Sequence, residues 1–191
     1  MTDLGRTQSA SLVPVVAALP TPDVVLVSPL SRAIQTGSIA YQGTRVPFVC
    51  EELVRERNGA HPCDRRRSRS ELTQDFPFVD FSTLTAEADD TWTVEREPWE
   101  RTVGRATAFL AKVAAMPQAT IAVVTHNDFL QALLLEAPEL RASDPSLRKK
   151  FNNAECMPLW LVHSMPAVEG EGRAGPTSPP HPHPEASPRV A

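Results

Sequence analysis

Two short apolar runs, each followed by a polar turn and then by helical spacing, most constrain the fold of this 191-residue chain. The first run is "DVVLV" at 23–27 and the second is "IAVV" at 121–124. Short β-branched runs are typical of strands buried on both faces, and apolar residues three and four positions apart are typical of helices packed against them. Alternating strands and helices predict an α/β fold of three layers, in which a mostly parallel sheet lies between helices.

The remaining elements follow from the same patterns. Pro14 is expected to kink the first helix, and residues 55–95 show too little periodicity for regular structure. A long irregular insertion in a compact domain is usually functional, and the aromatic residues of "ELTQDFPFVDF" indicate that this one packs down. Helices are expected at 2–19, 33–40 and 99–116, and further strands at 46–50 and 158–162.

Composition divides the chain into a folded part and a tail. The sequence has 19 prolines, several of them in residues 166–191, which have almost no large apolar side chains. Such a segment cannot bury enough surface to offset its ordering entropy, so it is predicted to be a disordered tail after one domain at 1–165.

The charge and cysteine content limit the partners and the compartment. A net charge of −4 argues against general binding of nucleic acid or anionic membranes. No apolar run approaches the roughly 18 residues of a membrane span. Three widely spread cysteines predict no disulfide framework, and a cytoplasmic location is expected.

Candidate functional residues follow the two buried strands. Arg32 lies in the first helical turn after the first strand, and His126 directly follows the second. Ligands of open α/β sheets bind beyond the carboxyl ends of the strands, where helix N-termini favour anions. A guanidinium and an imidazole at this edge suit a phosphate. Alone, a histidine at a strand end is more often a structural hydrogen-bonding residue, and an arginine in a first helical turn is usually a surface residue.

Two features of the insertion could also contribute. Glu56, flanked by Arg55 and Arg57, is expected to be ionised unless it turns into an apolar pocket. It is either a proton donor to a leaving oxygen or a member of a surface ion pair. A cluster of arginines could recognise an anionic substrate or be a solvated charge run. Its members are Arg65, Arg66, Arg67 and Arg69.

Three segments together resemble the histidine phosphatase superfamily, the phosphoglycerate-mutase-like proteins. They are "SPLSRAIQT", "RERNGAHPCDRRR…FPFVDFS" and "VVTHNDFL", and the resemblance extends from Thr2 to His163. It implies that a histidine attacks phosphorus, that water hydrolyses the phosphohistidine, and that a carboxylic acid protonates the leaving alcohol. The implied roles need neither a metal nor another cofactor. They are phosphate binding by Arg32 and Asn127, general acid catalysis by Glu56, and charge stabilisation by His126 as the non-nucleophilic histidine.

The nucleophile that the resemblance implies has no counterpart in this sequence. The family carries it in an Arg-His-Gly/Ala motif on a first strand, upstream of a helix start that "MTDLGRTQ" matches here at residue 1. The chain is therefore expected to lack that strand, which should leave an interior gap in the sheet and make the isolated chain marginally stable. The other histidines are poor substitutes. They are His61 in the insertion, His163 after the last predicted strand, and His181 and His183 in the tail.

Asn127 and Asp128 stand where the family usually has small residues or a glycine pair. Asp128 is a chemically reasonable helix cap, but a carboxylate beside a phosphate site should repel the substrate. This departure is a second reason to expect an inactive chain.

Two functional hypotheses remain. The first is a phosphatase for a phosphorylated small molecule or phosphoprotein, with mutase activity less favoured because nothing matches a bisphosphoglycerate site. The second is a non-catalytic pseudophosphatase that keeps a phosphate pocket and contacts partners through its insertion or tail. The oligomeric state is left open by the sequence.

Overall fold

Four parallel strands form the sheet, in the order β3-β2-β1-β4. The computed structural model describes residues 1–137, 147 and 149–162. Within it, Met1–Trp160 form one compact unit. The predicted tail at 166–191 and His163 lie outside the described residues. The strands are β1 (Val24–Val27), β2 (Phe48–Cys50), β3 (Val79–Asp80) and β4 (Ile121–Val124).

Strands β1 and β4 are direct neighbours in the sheet. Val24 lies opposite Ile121 and Val27 lies opposite Val124, and all four residues of β1 are buried. The predicted interior gap is therefore wrong for the described sheet, because β4 itself supplies the backbone partners of β1 on that side. β4 is an outer strand of this sheet, and its Val123 is 38% exposed.

Apolar side chains pack on both faces of the sheet. The alternation along β1 sends Val25 and Val27 to one face and Val24 and Leu26 to the other. The first face packs against Ile34 and the aromatic residues of the insertion, and the second packs against Phe109 and Phe129. This arrangement confirms the predicted α/β fold with helices on either side of a parallel sheet.

The helices follow the apolar pattern, with one difference. They are α1 (Asp3–Ala10), α2 (Leu12–Ala17), α3 (Ser31–Ala40), α4 (Arg69–Asp75), α5 (Trp99–Ala114) and α6 (Asn127–Gln131), which continues as a π-helical turn over Ala132–Glu136. The first predicted helix is broken into α1 and α2 at Ser11. Pro14 lacks an N–H and its ring excludes the carbonyl four residues earlier, so a continuous helix cannot pass this point. Among the described residues, no helix is both long and apolar enough to cross a membrane.

The strand predicted at 158–162 is wrong. These residues form no ladder with any strand that the structure describes, and Trp160 is 86% exposed. An apolar run becomes a strand only where a neighbouring strand can pair with its backbone groups.

The insertion at 55–95 is more regular than predicted. It contains α4 and β3, and its Phe76 and Phe81 are buried in the core. The side chain of Ser68 accepts a hydrogen bond from the backbone N–H of Glu71, and the carboxylate of Glu71 accepts one from the backbone N–H of Ser68. This capping box is visible in the sequence as Ser-Arg-Ser-Glu, a signal that the periodicity argument missed.

The beginning and end of the insertion meet in a short neck, formed by residues 58–60 and 93–97. The backbone N–H of Glu97 donates to the carbonyl of Asn58 (2.9 Å), and the N–H of Ala60 donates to the carbonyl of Thr93 (3.2 Å). Gly59 has φ +78°, and a Cβ at this position would lie 1.9 Å from the carbonyl oxygen of Glu95. Only glycine fits this crossing of the two segments.

Candidate active site

The carboxyl ends of β1 and β4 are joined by a buried hydrogen bond. Nε2 of His126 lies 2.8 Å from Oγ of Ser28; Ser28 directly follows β1, and His126 is the second residue after β4. Because β1 and β4 are adjacent and parallel, the two residues meet at the same edge of the sheet. Arg32 lies on the same connection as Ser28, in the first turn of α3.

His126 is almost completely buried, with 9% of its surface exposed. This burial, together with the positive charges of Arg32, Arg105 and Arg55, lowers the pKa of His126 well below its ordinary value of 6.5. The imidazole is therefore neutral at physiological pH and can accept a hydrogen bond at one nitrogen while it donates at the other.

Arg32 is held by the insertion. Its Nη1 donates to the carbonyl of Cys63 (2.6 Å), and its Nη2 forms an ion pair with Oδ1 of Asp64 (2.8 Å). The second oxygen of Asp64 pairs with Nη1 of Arg96 (2.8 Å). Neither Asp64 nor Arg96 was singled out from the sequence, because both lie more than 30 residues from their partners in segments without apolar periodicity.

Glu56 lies close to the same edge of the sheet. Its Oε1 accepts hydrogen bonds from the backbone N–H of Arg57 (2.9 Å) and of Asp128 (3.1 Å), at the start of α6. Burial raises the pKa of Glu56 above its ordinary value of 4.5, and the N–H of Arg57 and the charge of Arg32 offset this only in part. A raised pKa shifts the carboxyl group towards its protonated form, which is the form that a general acid needs.

The guanidiniums of the arginines that flank Glu56 bind other partners, and burial, the exception that the sequence prediction named, raises the pKa of its carboxyl group. Arg55 points the other way and forms a bidentate ion pair with Asp89, at 2.9 and 2.6 Å. Nε of Arg57 donates to the carbonyl of Glu97, and its guanidinium lies over the ring of Trp99. Because both guanidiniums are bound elsewhere, burial is the largest influence on the pKa of the Glu56 carboxyl group.

Arg105 of α5 fixes the segment that carries Glu56. Its guanidinium donates to the carbonyls of Leu53 (2.6 Å), Arg55 (3.0 Å) and Glu56 (3.2 Å), and it forms an ion pair with Glu97 (2.7 Å). Arg105 was not singled out from the sequence. A signal was present, because Arg105 interrupts the apolar face of α5, next to the buried Ala106.

Asn127 and Asp128 begin α6, directly after His126. Oδ1 of Asn127 accepts the backbone N–H of Phe151 (3.0 Å), and its Nδ2 donates to Asp128 (3.3 Å). The expectation that Asp128 caps the helix is wrong, since His126 is the N-cap residue and the carboxylate of Asp128 faces Arg96 at 3.4 Å. The negative charge of Asp128 is therefore partly balanced within the site.

The arginine cluster of the insertion is used mainly to hold the insertion together. Arg66 is buried and donates to backbone carbonyls that include those of Ala86 (3.2 Å) and Ala88 (2.7 Å). The others take part in surface contacts, which are Arg65 over the ring of Trp92, Arg67 with Asp75, and Arg69 with Glu87.

The remaining histidines differ in position. His61 is exposed in the insertion, and its carbonyl accepts the indole N–H of Trp92 (3.1 Å). His181 and His183, like His163, lie outside the described residues. Within the part of the chain that the structure describes, no three His, Cys, Asp or Glu side chains are grouped to hold a metal ion.

A family comparison agrees with this fold. The model of the histidine phosphatase superfamily (branch 1) matches residues 1–166, and the chain belongs to this superfamily.

Curated relatives come from plants and fungi. A phosphoglycerate mutase-like protein of Arabidopsis thaliana is 33% identical over 141 residues, which are 59% of this chain and 52% of the relative. Phosphoglycerate mutase-like protein 1 of the same plant is 42% identical over 85 residues, which are 44% of this chain and 30% of the relative. The chain thus spans about half, or less, of the length of these relatives.

Solved structures of similar fold include bacterial phosphatases. The alpha-ribazole phosphatase from Shigella flexneri matches with a TM-score of 0.48 and 20% sequence identity, over 68% of this chain and 63% of that structure.

Proposed function

We propose that this chain carries the phosphate-binding side of a histidine phosphatase site that acts on phosphomonoesters. The observation that carries the proposal is the convergence of Arg32, Glu56 and His126 at one edge of the sheet. A guanidinium that can bind phosphate oxygens, a carboxyl with a raised pKa and a neutral imidazole suit phosphoryl transfer. The substrate is a phosphorylated small molecule or a phosphoprotein, and hydrolysis is favoured over mutase activity because no segment matches a bisphosphoglycerate site.

The chemistry assigns a different task to each residue. In the family mechanism a histidine nitrogen forms a bond to phosphorus while the bond from phosphorus to the leaving oxygen breaks, and water later cleaves the phosphohistidine. Glu56 donates its proton to the leaving oxygen, for which its raised pKa is suited. Arg32 and Asn127 bind phosphate oxygens, and His126 stabilises the charge that develops on them.

The 191 residues of this chain do not supply the nucleophile. The sequence contains no Arg-His pair, and His126 is buried against Ser28 rather than free to attack phosphorus. We therefore propose that the chain as given binds phosphate without hydrolysing phosphomonoesters. A full-length protein that also lacks the Arg-His-Gly/Ala motif would be a phosphate-binding pseudophosphatase.

The proposal is tested by separating binding from turnover in the purified 191-residue chain. Inorganic phosphate binding is measured by calorimetry, and hydrolysis is measured with p-nitrophenyl phosphate. The Arg32→Gln substitution should weaken phosphate binding about tenfold or more, since a hydrogen bond to a charged group contributes about 1.5–3 kcal/mol. Arg67→Gln is the matched control, because Arg67 is a surface arginine paired with Asp75.

Wild-type chain and control should bind phosphate equally, and none of the proteins should hydrolyse the ester. Phosphate binding that does not depend on Arg32 would refute the proposed site. Robust hydrolysis with an acid-labile phosphoenzyme would instead show that a substitute nucleophile exists within the 191 residues.

A further inference from the structure

A single carboxylate bridges two guanidiniums at the candidate site. Oδ1 of Asp64 lies 2.8 Å from Nη2 of Arg32, and Oδ2 lies 2.8 Å from Nη1 of Arg96. The side chain of Asp64 is only 6% exposed, whereas those of Arg32 and Arg96 are 38% and 26% exposed. The two cations thus reach solvent on one side and share one buried anion on the other.

The bridge differs from the ion pairs that stabilise the insertion. The side chains of Arg55 and Arg66 are 4% and 0% exposed, and most of their donors are bound to carboxylates, backbone carbonyls or polar side chains. Such buried arginines have little capacity left for a ligand. Arg32 and Arg96 keep both solvent access and unused N–H donors, since each guanidinium has five.

Arg96 also contacts the helix that follows His126. Its Nη2 lies 3.4 Å from Oδ2 of Asp128, whose backbone N–H donates to Glu56. Arg96 therefore connects the insertion with the Glu56 and His126 side of the site. Its position opposite Arg32 across Asp64 resembles the way in which two guanidiniums bind separate oxygens of one phosphate.

We propose that Arg96 is a second substrate-binding arginine, and that Asp64 competes with the substrate phosphate for Arg32 and Arg96. This inference rests on the proposed phosphate site and adds to it a residue and an internal competitor. The phosphate takes over the two guanidiniums, and the carboxylate of Asp64 rotates towards solvent. The backbone of Asp64 stays in place during this exchange, because its carbonyl accepts a hydrogen bond from the buried Arg55 (3.1 Å).

The exchange predicts opposite effects for two substitutions. Asp64→Asn keeps the size of the side chain and removes its charge, so inorganic phosphate should bind about tenfold more tightly than to the wild-type chain. Adding Arg96→Gln to Asp64→Asn should weaken phosphate binding again by a similar factor. Asp75→Asn and Arg67→Gln are the matched controls, because they alter a carboxylate–arginine pair on the surface and should leave the affinity unchanged.

Calorimetric titration of the full 191-residue chain with inorganic phosphate gives the readout, and circular dichroism verifies folding of each variant. If Asp64→Asn does not fold, Asp64→Ser tests the same loss of charge. Arg32-dependent phosphate binding that is unchanged or weakened by the loss of the Asp64 charge would overturn this inference alone. Unchanged affinity on adding Arg96→Gln would likewise remove Arg96 from the site. Absence of any Arg32-dependent phosphate binding would overturn the proposed function, and this inference with it.

Discussion

His126 and Ser28, 98 residues apart in sequence, share a buried hydrogen bond of 2.8 Å at the ends of two adjacent parallel strands. The contact makes the edge of the sheet a polar junction between β1 and β4. It also places a neutral imidazole close to three arginines, which lower its pKa together with burial. A proton on His126 is consequently disfavoured in the native protein but not in the unfolded chain.

This difference predicts acid sensitivity near pH 6. Below the ordinary histidine pKa of 6.5 the unfolded chain binds a proton that native His126 does not. The free energy of unfolding should therefore fall with decreasing pH in that range, by at most about 1.4 kcal/mol per pH unit from this residue. Urea unfolding of wild type and His126→Gln between pH 5 and 7 measures the contribution as a difference in slope.

Ser28→Ala is the control for this measurement. It removes the hydrogen bond but keeps the burial and the arginines, so it should lower stability by about 1 kcal/mol at every pH and keep the slope. Equal slopes for wild type and His126→Gln would contradict the assignment of the acid sensitivity to His126.

Removing the charge of Glu56 and removing the charge of Glu97 should change the free energy of unfolding in opposite directions. Burial raises the pKa of Glu56, so ionisation above pH 4.5 destabilises the native state, and Glu56→Gln should increase the free energy of unfolding at pH 7. Burial acts on Glu97 too, but hydrogen bonds from Arg105 and the N–H of Asn58 outweigh it and lower the pKa of Glu97. Glu97→Gln should therefore destabilise the protein at pH 7, by about 2 kcal/mol.

Denaturation curves at pH 4 and pH 7 distinguish the two carboxyl groups. The stability that Glu97 contributes is present above pH 4.5 and is lost as the pH falls, so its substitution should matter less at pH 4. A Glu56→Gln variant less stable than wild type at pH 7 would show that its hydrogen bonds to Arg57 and Asp128 outweigh the burial of charge.

Three glycine substitutions separate backbone strain from steric conflict. Gly59→Ala combines φ +78° with a contact of 1.9 Å to the carbonyl of Glu95, and should destabilise the protein by about 3 kcal/mol or more. Gly43→Ala has φ +79° but open space around the new Cβ, and should cost about 1–2 kcal/mol. Gly104→Ala, in open space on α5, should stabilise by about 1 kcal/mol. Thermal unfolding ranks the stabilities of the three variants. A Gly59→Ala variant that is at least as stable as Gly43→Ala would contradict the close crossing at the neck.

The sheet could be predicted because its signals are local. The runs at 23–27 and 121–124 are short, apolar and β-branched, and each is followed by helical spacing, so β1, β4 and α3 were placed correctly. The same signal gave a wrong prediction at 158–162, because an apolar run carries no information about whether a partner strand lies beside it. The break at Ser11 was also missed, since the proline effect was expected as a kink rather than as an interruption.

The electrostatic part of the site could not be predicted from neighbouring residues. Arg55 and Arg57 adjoin Glu56 in sequence, yet their guanidiniums bind Asp89 and the carbonyl of Glu97. Apart from the N–H of Arg57, the groups that act on Glu56 come from distant segments, such as the N–H of Asp128, 72 residues away. Ion pairs in irregular segments follow no period, so Asp64 and Arg96 became visible only in the folded chain.

The neck fixes the two ends of the insertion next to each other. Residues 58–60 and 93–97 are held together by hydrogen bonds, so the insertion begins and ends at nearly one place. Between these ends the insertion supplies β3 to the sheet, Phe76 and Phe81 to the core, and Asp64 to Arg32. A change of length in its exposed turns should thus cost little, since each doubling of a loop costs only about 0.6 kcal/mol of closure entropy, whereas replacement of the whole segment should disturb the sheet and the partners of Arg32 together.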